Sequence, residues 1–108
     1  MSSETNNEPQ VEGAEVFTFS RPVNYEGEVF ESVKLDFDKL SGSDILACDS
    51  QYRSENRSAT LSLAPEVDKG YQAYIVAKAA GVHVGLIRAA SAKDFTRLTL
   101  RARNFLLL

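Results

Sequence analysis

Val33-Lys34-Leu35-Asp36-Phe37-Asp38-Lys39-Leu40-Ser41-Gly42-Ser43-Asp44-Ile45-Leu46 contains the point at which this chain changes its periodicity. Up to Asp38 the apolar residues Val33, Leu35 and Phe37 alternate with Lys34, Asp36 and Asp38, the period-2 pattern of a half-buried strand. Beyond Leu40 the alternation stops. Ser41 is placed to accept a hydrogen bond from a backbone N–H of the next turn. Asp44, three residues on, falls at the N3 position, where unpaired N–H groups favour a carboxylate, so the pair starts a helix. A strand before this point and a helix after it make the chain α+β.

Upstream, residues 16–19 (Val-Phe-Thr-Phe) are β-branched and aromatic and are stopped by Arg21-Pro22, since proline has no N–H to give to a ladder. That is a first strand. Asn24-Tyr25-Glu26-Gly27 supplies a turn, with Gly27 free to take positive φ. The second strand carries Val29, Val33, Leu35 and Phe37 at odd positions. The expected result is an antiparallel β-hairpin over residues 15–37 with one apolar face in need of cover. Asp36 and Asp38 are two apart and hence on one side of the strand, a spacing that suits an acid pair or a cation but equally the solvent face of a hairpin. Residues 1–14 are polar and acidic with almost nothing to bury, so they are expected to be disordered ahead of a single domain at 15–108.

The cover has to come from helices, of which the pattern predicts three to four in a small bundle. A first runs over 41–55 with Ile45, Leu46 and Tyr52; residues 56–64 lack a period and read as a loop ended by Pro65. The second, 66–80, carries a bulky face (Val67, Tyr71, Tyr74, Ile75, with Val82 beyond) and a small one (Ala73, Ala77, Ala80). A helix buried on two sides is central. Lys78 falls within the bulky face and should bury its stem while its head reaches water. Gly81 ends this helix, residues 84–90 form a short third one, and Ser91 with Asp94 caps the last.

That last helix, 92–108, has Phe95, Leu98, Ala102, Phe105 and Leu106 on one stripe, which faces the core. Lys93, Arg97, Arg101 and Asn104 lie opposite. Leu100 and Leu107 fit neither group, and with Leu108 they are either isolated surface leucines or a docking surface for another chain. Leu100, Leu107, Leu108, Arg97 and Arg101 are therefore the candidate partner-binding residues, and self-association through this helix is an expectation.

A chain of 108 residues is long enough to bury roughly 65% of its unfolded surface without metals or disulfides. No apolar run approaches the roughly 20 residues of a membrane span, and the acidic start lacks the basic-then-apolar order of a signal peptide, which points to a soluble, cytoplasmic protein. Cys48 is the single cysteine, so no internal disulfide is available. Net charge is −3, but residues 1–54 carry −7 and residues 55–108 carry +4. The basic last helix has no aromatics positioned to stack on bases, so it is a weak nucleic-acid signal, and its cations near a helix C-terminus complement the dipole. One histidine and one cysteine give no metal-ligand spacing, the six glycines are scattered, and His83 follows a helix end in apolar surroundings as a structural or surface residue. No cofactor, metal or catalytic set is expected.

Phe17-Thr18-Phe19-Ser20-Arg21-Pro22-Val23-Asn24-Tyr25-Glu26-Gly27 followed by Leu35-Asp36-Phe37-Asp38-Lys39-Leu40-Ser41-Gly42-Ser43-Asp44 resembles the tail assembly chaperones of long-tailed bacteriophages and related prophages. Tyr71-Gln72-Ala73, Ala77-Lys78-Ala79-Ala80-Gly81-Val82, Ala92-Lys93-Asp94-Phe95 and Asn104-Phe105-Leu106-Leu107 agree with it, so the resemblance covers about ninety residues. Where that family usually has Thr before the Gly of the first helix start, this chain has Ser41, which caps as well. The resemblance implies a non-enzymatic protein of the bacterial host cytoplasm. It would bind the tape measure protein, keep it soluble and help recruit tail tube protein, in some such systems with a longer frameshifted product. Other classes remain open: a structural tail completion or connector protein of the virion, or a small DNA-binding regulator using the basic last helix.

Overall fold

The computed structural model describes residues 14–56 and 67–108. Its elements are β1 (Ala14–Tyr25), β2 (Glu28–Asp36), a 3-10 turn (Phe37–Lys39), α1 (Gly42–Glu55), α2 (Lys69–Ala80), α3 (Val84–Arg88) and α4 (Ala92–Leu107). An antiparallel two-stranded hairpin followed by four helices is the α+β arrangement that the change of period implies. The acidic residues expected to be disordered and the loop expected before Pro65 fall outside the described residues, except Ala14, which already belongs to β1, and Asn56 at the end of α1.

The first strand does not stop at Arg21-Pro22; β1 continues to Tyr25. Thr18 pairs with Ser32 and Val23 with Phe30, so residues 19–22 stand opposite Glu31 alone. A bulge is where a strand tolerates proline, because no ladder hydrogen bond is asked of it there. The surplus on β1 is odd, so the inward phase of β2 shifts by one across the bulge. Val33 and Leu35 are buried as expected, but beyond the bulge Phe30 packs on the core and Val29 is exposed, contrary to the odd-position reading. The strands reverse through Glu26 (φ 53) and Gly27 (φ 81), two consecutive positive-φ residues whose twist matches that of the flanking strands.

Phe37 is buried at the start of the 3-10 turn, and this turn separates Asp36 from Asp38. The two carboxylates therefore do not share a strand face: Asp38 is exposed, while Asp36 is half-buried with Oδ1 enclosed and without a hydrogen-bond partner. Ser41 caps α1 in a full capping box: its Oγ accepts from Asp44 N, and the Asp44 carboxylate accepts from Ser41 N at 2.8 Å. That backbone hydrogen bond is the largest influence holding the Asp44 carboxyl below its ordinary value.

The core is organised around α2, which packs on α1, α3, α4 and β2. Every residue from 71 to 77 is buried, the two-sided burial read from its bulky and small faces. The helix begins at Lys69, later than the expected 66, because Asp68 is the cap: its Oδ1 accepts from Gly70 N at 2.8 Å and Tyr71 N at 3.4 Å. Val67 precedes the cap and is exposed, so it does not share the helix's inner face. Lys78 is exposed and its Nζ lies 3.8 Å from Asp44 Oδ1. Gly81 ends α2 at φ 70, and His83 caps α3 through Nδ1, which accepts from Gly85 N.

Candidate partner-binding surface

The surface is the outer side of α4, and its geometry follows from how firmly the inner side is held. Ser91 caps the helix, its Oγ accepting from Asp94 N at 3.2 Å. Asp94 does not complete a capping box. Its carboxylate turns to the hairpin and accepts from Ser20 N at 2.9 and 3.1 Å and from Arg21 N at 3.4 Å. These are amides of the bulge, which the ladder leaves unpaired, while Pro22 has none to offer. Asp94 is fully buried, with 0% exposure. Burial pushes its carboxyl up, but the hydrogen bonds from Ser20, Arg21 and Ser91 outweigh it and hold the group below the ordinary aspartate value.

Further along, Leu98 and Ala102 are buried, and Phe105 stacks on Phe37 with ring centroids 5.2 Å apart. Thr99 is buried with its hydroxyl donating to the Phe95 carbonyl at 2.9 Å, and Lys69 Nζ reaches it at 3.3 Å. A buried polar group on the stripe is tolerated because its hydrogen bonds are made. Phe95 and Leu106 are half-buried, as expected of the stripe's edges.

Leu100 and Leu107 are each 47% exposed and Leu108 is 98% exposed. Seven residues apart, Leu100 and Leu107 lie over one another on the helix surface, with Arg103 and Asn104 between them and Arg97 one turn before. All three of these polar residues are exposed. Arg101 is placed differently. Its Nε donates to the Glu15 carboxylate at 3.0 Å, its guanidinium lies 4.9 Å from the Phe17 ring centroid, and Nη1 donates to the Arg97 carbonyl. Arg101 thus joins α4 to β1 and is not a free cation of the outer face; Arg97 stays with the leucines.

The remaining polar groups hold helices together. Tyr52 Oη donates to Asp68 at 2.7 Å, and burial followed by that carboxylate raises the Tyr52 hydroxyl to about 12. Tyr74 Oη donates to Glu55 and accepts from Arg88 at 2.7 Å; burial pushes its hydroxyl up, and its hydrogen bond lowers Glu55. Cys48 is buried with Sγ 3.6 Å from the Tyr74 carbonyl, and burial pushes the thiol up, away from the reactive thiolate. His83 Nδ1 is engaged by Gly85 N at 2.8 Å and by Tyr25 Oη at 3.1 Å, which occupies its lone pair.

Among the described residues no group of three or more His, Cys, Asp or Glu is placed to hold a metal ion, and no helix is long and apolar enough to cross a membrane. A concavity of about 410 Å³ lined by Lys39, Asp44, Lys78 and Val82 is occupied at its polar rim by the Asp44–Lys78 pair. No family model, curated protein or solved structure matches this chain.

Sequence reasoning did not find the Asp94 clamp. The signals were present, an acid at N3 of α4 and a proline within a strand pattern, but nothing local says that they meet across 74 residues.

Proposed function

We propose that this chain is a phage tail assembly chaperone, a non-enzymatic protein that binds the tape measure protein, keeps it soluble in the cytoplasm of the bacterial host and helps recruit tail tube protein. The reading rests on the resemblance of its sequence segments to that family. The observation that carries it is the pair Leu100 and Leu107, half exposed on the outside of a helix whose inner side buries Leu98, Thr99 and Ala102 against the core. A long apolar helical partner fits such a surface through its own apolar face. Fully burying a leucine contributes roughly 1.5 to 3 kcal/mol, and these two, already half covered, contribute about half of that each before the cost of association.

The test is co-expression with a tape measure protein of a long-tailed phage, measuring how much of the latter stays soluble. Rescue by the wild type, loss with Leu100→Glu and Leu107→Glu and retention with Arg97→Gln support apolar recognition. Arg101→Gln is a poor control, since Arg101 holds Glu15 and covers Phe17. Equal solubility without this chain refutes the assignment. A second reading is favoured by the exposed cations of α4: a DNA-binding regulator would bind duplex DNA with a steep loss of affinity as salt rises. Recovery of the chain in mature particles would instead mark it as a tail completion or connector protein.

A further inference from the structure

Seven residues on a helix make almost two full turns, so Lys93, Leu100 and Leu107 fall within about 40° of one another, along a line about 21 Å long on the outside of α4. Arg97 lies three residues before Leu100 and Arg103 three after it, which places them about 60° to either side of that line. All five side chains are exposed. The three cations form no ion pair among the described residues. The one acid of the helix, Asp94, is turned inward onto Ser20 and Arg21, and its remaining cation, Arg101, is held by Glu15. The outer face is thus a narrow apolar line that ends in an ammonium and has a guanidinium on each side, in a chain whose net charge is −3.

We propose that this face takes a helical segment of its partner in which two apolar residues seven apart are bordered by aspartates or glutamates. The spacing of the leucines sets the interval. A helix lying nearly parallel to α4 meets both Leu100 and Leu107 with one side of itself only if its own apolar residues recur at that spacing. Its carboxylates then fall at the borders, against Arg97 and Arg103, and one more continues the line against Lys93. A helix bordered by lysines would set like charges across the contact and is disfavoured, whatever its apolar seam. Duplex DNA is the poorer occupant, because the leucines lie between the cations and a phosphate backbone laid across them would lose water against apolar surface.

This deepens the chaperone reading, on which it rests for the surface, by naming the chemistry that tells one helix from another. The leucines hold the partner and the cations select it. Losing Arg97 alone leaves Lys93 and Arg103 in place, so retention of the tape measure protein by Arg97→Gln agrees with it. The test uses designed peptides and no tape measure protein. Failure of the peptide preference therefore leaves the co-expression result standing, and a failed rescue in co-expression leaves the peptide preference standing.

Two labelled peptides are titrated with the full chain and followed by fluorescence anisotropy. Each is a helix of about five turns with two leucines seven apart; one carries glutamate at the bordering positions and seven residues beyond one leucine, the other carries lysine there. At about 0.05 M salt the glutamate peptide is expected to bind at least about tenfold more tightly, against the net negative charge of the chain, and the preference shrinks at about 0.5 M. Arg97→Glu with Arg103→Glu reverses the preference, and Leu100→Gln with Leu107→Gln weakens the glutamate peptide at least about tenfold. Equal binding of the two peptides overturns the proposal, as does a preference that survives reversal of both arginines. So does tighter binding of a short DNA duplex that the leucine substitutions do not weaken. Loss of peptide binding as the chain is concentrated would give the face to a second copy and would overturn it as well.

Discussion

Replacing Asp94 by Asn keeps the shape of the side chain and removes its charge and one acceptor. In the wild type, two oxygens of a fully buried carboxylate receive Ser20 N at 2.9 and 3.1 Å and Arg21 N at 3.4 Å. The amide keeps one oxygen for one of these donors and turns an NH2 toward the other. Losing one hydrogen bond to a charged group costs about 1.5 to 3 kcal/mol, and losing the negative charge near the first turn of α4 a further 0.3 to 1 kcal/mol or so. Asp94→Asn should therefore destabilise by roughly 2 to 4 kcal/mol, and Asp94→Ala by more, since both bulge amides then lose their acceptor.

Urea unfolding should show this as a lower midpoint with an unchanged slope. One control isolates the clamp: Asp38→Asn on the exposed 3-10 turn stays within about 0.5 kcal/mol of the wild type, whereas Ser91→Ala removes the cap together with a hydrogen bond to the Asp94 carboxylate and costs about 1 kcal/mol or more. The pH dependence has a definite sign. Asp94 is held below its unfolded value, so its contribution is fully present above the ordinary aspartate range, near pH 4 to 5, and is lost as pH falls through the lower folded value. Above that range the difference between wild type and Asp94→Asn should be constant; below it the two curves should converge. If Asp94→Asn unfolds within about 0.5 kcal/mol of wild type at pH 7, or the gap persists undiminished at the acid end, the clamp does not hold the bulge as argued.

Three further outcomes are expected. Glu26 pays for a left-handed backbone at φ 53, so Glu26→Asn should raise stability by about 0.5 to 1 kcal/mol in thermal or urea melts, asparagine being better suited to that region. A Cβ at Gly85 would come 2.5 Å from Tyr25 Oη and 3.0 Å from His83 Nδ1; Gly85→Ala should therefore push Tyr25 off His83 and destabilise by about 1 to 2 kcal/mol, with the loss reduced in a Tyr25→Leu background. Arg101→Ala should cost about 1 kcal/mol, more than Glu15→Gln, because the half-exposed ion pair alone is worth little whereas the guanidinium also covers Phe17; equal losses in a double-mutant cycle would count against the ring contact.

Much of the fold was legible because its signals are local. The alternation of Val33, Leu35 and Phe37, the Ser41 and Asp44 capping box, Gly81 at positive φ and the buried Leu98 and Ala102 of α4 each depend on residues within a turn or two of one another. Readings failed where a distant partner or a phase change intervened. Val29 was placed on the core face because alternation was carried across a bulge, and Arg101 was grouped with the free cations because Glu15 is 86 residues away. The Val67 error was different in kind: the expected start at 66 lies three residues ahead of Lys69, and Val67 falls before the Asp68 cap, outside the helix.

The sequence by itself determined the element types, their order and the apolar surplus of the last helix, since period, caps and turn residues act through the nearest few side chains. Tertiary structure alone decided how β1 carries Pro22 and continues, and which helix holds it there. An unpaired bulge amide must find an acceptor wherever the packed chain offers one, and the acceptor proved to be Asp94, a residue whose own neighbourhood announces only a helix start. The same packing turned the one acid of α4 inward and left Arg97, Arg103 and Asn104 around Leu100 and Leu107 on its outer side, which a helical wheel does not assign because the wheel does not know what the helix lies against.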